Sequence, residues 1–285
     1  MDLKSIMTIL VILVILVKNS TQQRVPAVFL FGDSTMDVGN NNNLPTLVKS
    51  NFLPYGRDFN HTPTGRFSNG KLAIDFLVKD QLLFETYQVA YLSNEAKIGS
   101  NILSGANFAS AGSGYSDTTA NLYFAVSLSK QLEYFEEYQA RIVGMVGEAN
   151  ASSILSNSIY VISSGTSDFV QNYYISPVLQ LTYPNIQQFF NVLLTKFIFD
   201  GIELYHGVVC QGQSPYLGFF ETRKGCCGSG LLETSLLCNE LSIGTCSNAS
   251  DYVFWDAFHP SQTANTFLAQ NMIQAGISLL YPSSS

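Results

Sequence analysis

Ser34 closes the tripeptide Gly32-Asp33-Ser34 directly after an apolar run, Val28-Phe29-Leu30-Phe31. Such a run reads as a buried strand, and a serine at its carboxyl end stands where α/β sheets place their chemistry. Near the other end of the chain, Asp256 and His259 are three residues apart. At that spacing one turn lets the carboxylate take the imidazole Nδ1–H and leaves Nε2 free to face a nucleophile. Between them, Gly165-Thr166-Ser167-Asp168 offers a hydroxyl donor beside a glycine turn. A serine nucleophile, a base held by a carboxylate, and donors for a developing oxyanion are the parts that covalent ester cleavage requires. Any one of these stretches alone is more often a turn or a helix start; their joint presence carries the reading.

The blocks around these residues resemble the plant GDSL esterase/lipase family, a branch of the SGNH hydrolases. Phe31-Gly32-Asp33-Ser34-Thr35-Met36-Asp37-Val38-Gly39-Asn40-Asn41 is similar to its first block, and Asn107-Phe108-Ala109-Ser110-Ala111-Gly112-Ser113-Gly114 to its second. Gly165 to Phe169 is similar to its third block and Asp256-Ala257-Phe258-His259-Pro260-Ser261 to its last. Thr64-Gly65-Arg66-Phe67-Ser68-Asn69-Gly70-Lys71 and Gly225-Cys226-Cys227-Gly228 also resemble family signatures. The resemblance runs from about Ala27 to about Leu280, and it implies a three-layer α/β/α sandwich on a parallel sheet.

It further implies Ser34 as nucleophile, His259 as general base, Asp256 as its orienting carboxylate, and an oxyanion hole of the Ser34 and Gly112 backbone N–H groups with a third-block side chain. That side chain is usually Asn; here Ser167 stands in its place, a shorter and freely rotating donor. Asp33 and Asp37 are expected to make turn hydrogen bonds beside the nucleophile. The substrate class implied is an acyl ester or lipid, without a metal or cofactor. An acyltransferase using the same acyl-enzyme, and an inactive remnant that binds acyl ligands, are the alternatives.

Formal charge is −7, with 12% charged residues. An acidic, charge-poor chain has no electrostatic means of holding nucleic acid or an anionic membrane surface. Its 15 Tyr and 20 Phe supply an ample core. Lys4 precedes a run from Ile6 to Val17 that is apolar apart from Thr8, and Asn19-Ser20-Thr21-Gln22 follows. A stable bilayer span needs roughly 18 or more apolar residues, so residues 1–22 read as a signal peptide and 23–285 as one secreted, extracellular domain without a stable membrane span. Asn60, Asn150 and Asn248 head glycosylation sequons. The five cysteines, Cys210, Cys226, Cys227, Cys238 and Cys246, point to local disulfides in such a compartment. The last four are close enough for two bridges, leaving Cys210 over.

Along the chain, strands are expected at Ala27 to Phe31, within Ser104 to Gly114, where a short strand opens into a glycine-rich turn, and, buried, at Ser158 to Ser163. Helices are expected at Lys71 to Phe84, Leu128 to Val146, Ile186 to Tyr205 and Ser261 to Leu280. The Leu128 helix would turn Leu128, Leu132, Phe135, Ile142 and Val146 to the core. Asn40 to Asn43 and Pro54 to Asn69, with Arg57 and Arg66, read as loops. This alternation implies a parallel sheet with helices on both faces. Family members continue after the long helix with a further strand, helix and strand. Here His206 to Pro215 joins that helix almost directly to the Gly-Cys-Cys-Gly loop, so a strand-helix-strand portion near residues 205–216 is expected to be missing, and with it part of the sheet.

Overall fold

All five residues of β1 (Val28–Gly32) are buried, and their side chains alternate between two cores, as strand geometry requires. Phe29 and Phe31 pack with Phe108, Phe135, Tyr138 and Ile142; Val28 and Leu30 face Leu72, Ile74, Val78 and Leu82. The computed structural model describes residues 25–97, 100–199 and 219–280. In it β1 lies between β2 (Gly105–Asn107) and β3 (Ile159–Ser163), parallel to both. Val28 stands opposite Gly105 and Ile159, and Gly32 opposite Ser163.

Helices cover both faces. On the Val28 side runs α1 (Ala73–Phe76), extended by a π turn, Leu77–Gln81. After α2 (Asp117–Leu122), α3 (Leu128–Val146) covers the aromatic side, its first turn capped by the Ser127 side chain accepting the Lys130 N–H. Then follow α4 (Glu148–Ser156), the single turn α5 (Thr166–Asp168), α6 (Pro177–Thr182) and α7 (Ile186–Phe199). A second, two-stranded parallel sheet pairs β4 (Glu221–Gly225) with β5 (Tyr252–Phe254), and α8 (Gln262–Leu280) closes the order, packing back on α1. Disulfides Cys226–Cys246 and Cys227–Cys238 lock the loops between β4 and β5 around a core of Tyr55, Phe67 and Trp255. The architecture is α/β with a parallel sheet and helices, as expected.

Several local expectations change. β3 is not fully buried: it borders the three-stranded sheet, and Tyr160 is 45% exposed. Leu132 points outward, while Gln131 and Tyr138 face inward with Phe135 and Ile142. Gln131 turns in because its amide both accepts the Gly32 N–H and donates to the Gly32 carbonyl, each at 2.9 Å, closing the end of β1. A hydrophobic pattern cannot signal a buried polar clasp of that kind. The Lys71 to Phe84 segment holds only one α turn and the π turn, and β4 and β5 were not anticipated. Asn40 to Asn43 is a 3-10 turn with Asn40 and Asn41 buried rather than a plain loop. The signal segment, the helix beyond Phe199, Cys210 and the proposed break fall outside the described residues. No helix among the described residues is long and apolar enough to cross a membrane.

Candidate active site

Gly32 ends β1 with φ +136°, and a Cβ there would lie 1.8 Å from the Ser163 carbonyl oxygen, so only glycine lets β1 and β3 exit side by side. The next residues turn sharply and are tied on all sides. Asp33 donates its N–H to Ser163 and accepts the Thr35 N–H and hydroxyl at 3.0 and 2.8 Å on Oδ1 and the Thr166 N–H at 3.1 Å on Oδ2. One carboxylate thus fixes the Ser34 turn and the start of the third block together. Burial pushes the Asp33 carboxyl above its ordinary range, against the pull of these bonds.

Ser34, only 2% exposed, directs Oγ to His259 Nε2 at 2.7 Å. On the far side of the ring, Nδ1 lies 2.7 Å from Asp256 Oδ2 and 2.9 Å from Oδ1. The Phe258 and His259 backbone N–H groups also donate to Asp256 Oδ1, at 3.1 and 2.9 Å, so the turn holds its own carboxylate. Phe67 and Phe258 flank the imidazole with ring centroids at 4.9 and 4.1 Å. Burial works against the Asp256 charge, yet His259 and these donors hold its carboxyl below the ordinary carboxylate range. In the tautomer whose Nδ1–H is given to the carboxylate, Nε2 stands ready to accept from the Ser34 hydroxyl.

The Asp-x-x-His spacing did not by itself single out this histidine. Each of the three histidines has a carboxylate residue three positions earlier: Asp58 for His61, Glu203 for His206, Asp256 for His259. His61 is exposed and Asp58 pairs with Arg57 and Asn69 instead; His206 lies outside the described residues. What distinguishes His259 is burial against Ser34.

Gly112 adopts φ +85°, and no hydrogen bond among the described residues occupies its N–H or that of Ser34. The Ser167 hydroxyl is likewise buried, 1% exposed as a residue, and without a partner among the described residues. Asp168, next to it, accepts the Tyr115 and Ser116 N–H groups and the Thr119 hydroxyl, bracing the second block against the third. Asn40 and Asn41, whose role the sequence did not disclose, donate to the carbonyls of Asn107, Ala109 and Ala111. Their place six and seven residues after Ser34, in a run of four asparagines, was the available signal.

Asp37 completes this clamp by accepting the Gly39 and Asn40 N–H groups and, at 3.0 Å, the Ala111 N–H beside Gly112. Burial raises its carboxyl from 3.8 to about 6 despite those three bonds. The folded protein therefore binds this proton more tightly than the unfolded chain, and between pH 3.8 and 6 ionisation of Asp37 lowers stability as pH rises. The full effect is about 3 kcal/mol. We expect the stability of the wild-type chain minus that of Asp37→Asn to fall by that order between pH 4 and 7, read from urea unfolding; a flat difference contradicts it.

Arg66 lies buried against Asp75 in a two-point ion pair, 2.8 and 2.7 Å, which anchors the Pro54 to Asn69 loop to α1. Arg57 reaches across to the Cys246 carbonyl at 2.7 Å and lies over Trp255, joining the same loop to the disulfide-bound segment. The sequon residues Asn60, Asn150 and Asn248 are all exposed. Among the described residues no group of three or more His, Cys, Asp or Glu side chains is arranged to hold a metal ion.

Residues 28–215 match the profile of the family described as GDSL-like Lipase/Acylhydrolase. The chain is 43% identical to the GDSL esterase/lipase At5g22810 of Arabidopsis thaliana over 343 aligned positions, covering 94% of each chain. It is 42% identical to the GDSL esterase/lipase At3g53100 of the same plant, over 90% of this chain and 92% of that one. The GDSL esterase/lipase APG, also from Arabidopsis thaliana, is 41% identical over 92% of this chain and 94% of its own length.

Proposed function

Because the chain belongs to the GDSL-like lipase/acylhydrolase family, we propose that it is a secreted serine esterase that cleaves carboxylic acyl esters through an acyl-enzyme on Ser34. The observation that carries this reading is the 2.7 Å approach of His259 Nε2 to Ser34 Oγ, on a ring whose Nδ1 is held by Asp256. Ser34 Oγ attacks the acyl carbonyl while its proton passes to Nε2, giving a tetrahedral oxyanion and an imidazolium. Asp256 stabilises that imidazolium and stays ionised. The oxyanion is met by the Ser34 and Gly112 N–H groups and the Ser167 hydroxyl. Nε2 then returns the proton to the leaving alcohol, and a water, deprotonated in its turn by His259, releases the acid. Mass spectrometry of the chain quenched during turnover of p-nitrophenyl butyrate tests this: an added butyryl group on the peptide bearing Ser34 is expected, and hydrolysis that continues at the wild-type rate in Ser34→Ala overturns the covalent route.

Ser167 in place of asparagine makes one donor shorter and less preorganised. Loss of a single oxyanion donor costs about 10²–10³ in rate. Serine retains part of that, so Ser167→Asn is expected to raise kcat roughly tenfold with KM little changed. A fall in kcat would contradict the reading of serine as the weaker donor at this position.

The same reading takes the chain as internally shortened between Tyr205 and Tyr216. Supporting it, the alignment to At5g22810 runs over 343 positions although the chain has 285 residues, so the relative carries residues with no counterpart here. An inactive remnant is the reading this shortening favours, because lost strands leave a sheet edge whose buried unpaired groups cost about 1–3 kcal/mol each. Closure of the Ser34, His259 and Asp256 arrangement favours the enzyme. Secretion is supported by the apolar Ile6 to Val17 run, the two disulfides and the exposed sequon asparagines.

A further inference from the structure

Tyr55 lies behind the Asp256–His259 pair, on the side away from Ser34. Its hydroxyl donates to Asp256 Oδ2 at 2.6 Å and accepts the Ser235 N–H at 2.8 Å. The ring is fully buried, edge-on to Phe67 and Trp255 with centroids at 5.7 and 6.3 Å. Ser235 and Thr234 belong to the loop closed by Cys227–Cys238, and the Thr234 hydroxyl reaches the same Oδ2 at 3.3 Å. The Glu233 carbonyl accepts the Ala257 N–H, so this disulfide loop is stitched onto the catalytic turn on two sides.

From this geometry we propose that Tyr55 is a positioning residue of the hydrolytic site, fixing the Asp256 carboxylate and drawing charge from Oδ2. Through that charge it sets how strongly Asp256 stabilises the imidazolium of His259. The proposal rests on the esterase reading above. A phenol donating to one carboxylate oxygen competes with the imidazole for the same negative charge; remove it, and more of that charge remains to favour the protonated ring. Burial, and then the charge of Asp256, hold the Tyr55 phenol well above its ordinary range, so it donates throughout the working pH interval. The other charged groups nearby act differently. Asp33 adds its field from the β1 side, Arg57 is engaged with the Cys246 carbonyl over Trp255, and the Glu233 carboxylate is taken by Ser229 and Gly230. None of these three donates to Asp256 Oδ2.

The test is the pH dependence of p-nitrophenyl butyrate hydrolysis by the full disulfide-bonded chain. Tyr55→Phe is expected to lower kcat about tenfold with little change in KM, and to move the acidic limb of kcat/KM upward by about 0.5–1 pH unit. A ring-fluorinated tyrosine introduced at position 55 keeps the shape and donates more strongly, so it is expected to move that limb downward. Opposite shifts in the two chains support a positioning role that mere packing would not produce. If Tyr55→Phe fails to fold by circular dichroism, the fluorinated chain decides alone. A profile that fluorination does not shift overturns the inference while leaving the esterase reading intact; no hydrolysis by the wild-type chain overturns both.

Discussion

Replacing Ser34 with alanine is expected to lower kcat for ester hydrolysis by about 10⁴–10⁶, with the fold unchanged. The size follows from the role proposed for Ser34 Oγ as the nucleophile, which His259 Nε2 faces at 2.7 Å. Without the hydroxyl no acyl-enzyme forms, and what remains is the polarisation of the carbonyl by the Gly112 and Ser167 donors acting on water. Since nucleophile and base act as one unit, adding His259→Ala to Ser34→Ala should cost almost nothing further. Steady-state hydrolysis of p-nitrophenyl butyrate by the two single variants and the double variant checks this. Additive losses would mean that the two side chains serve separate steps. Ser34 carries no structural hydrogen bond other than that to His259 among the described residues, so stability should move by less than about 1 kcal/mol.

Asp256→Asn carries the second large effect, a fall in kcat of about 10³–10⁴. Asp256 is fully buried and accepts from His259 Nδ1, the Phe258 and His259 N–H groups, Tyr55 and Thr234. An asparagine amide presents N–H groups to some of these donors, so it either favours the wrong tautomer of His259 or breaks the turn that holds it. It also supplies no charge to the imidazolium formed in the attack. Loss of kcat with KM kept within about threefold is the expected pattern, measured on the same ester across pH 5 to 9. Equal losses in kcat and thermal stability would instead assign Asp256 a role in holding the turn alone.

The residues proposed to react were legible in the sequence because each sits at a sharp chain feature: Ser34 after an apolar strand, Gly112 in a glycine turn, Asp256 and His259 in one short turn. The groups that hold them were not. Tyr55 is 201 residues from Asp256, with no periodic relation to it, and only the packed loop brings them together. Gln131 sits in an apolar stripe where the pattern favours Leu132, and its inward turn is dictated by the peptide groups of Gly32. The three-residue strand β5 and the irregular β4 are too short to show a period, and the segment between them is closed by two disulfides whose partners the cysteine spacing left open. Exposure of Tyr160 on β3 likewise reflects the sheet's extent, which a local pattern of apolar residues does not encode.

The most direct test of the central claim, that Ser34 is an activated nucleophile, is covalent labelling by a fluorophosphonate probe. The purified, disulfide-bonded protein and its Ser34→Ala variant would be exposed side by side, with folding followed by circular dichroism. Labelling of the wild-type chain at Ser34, and none of the variant, is the predicted result. A folded wild-type chain that takes up no probe would contradict the account.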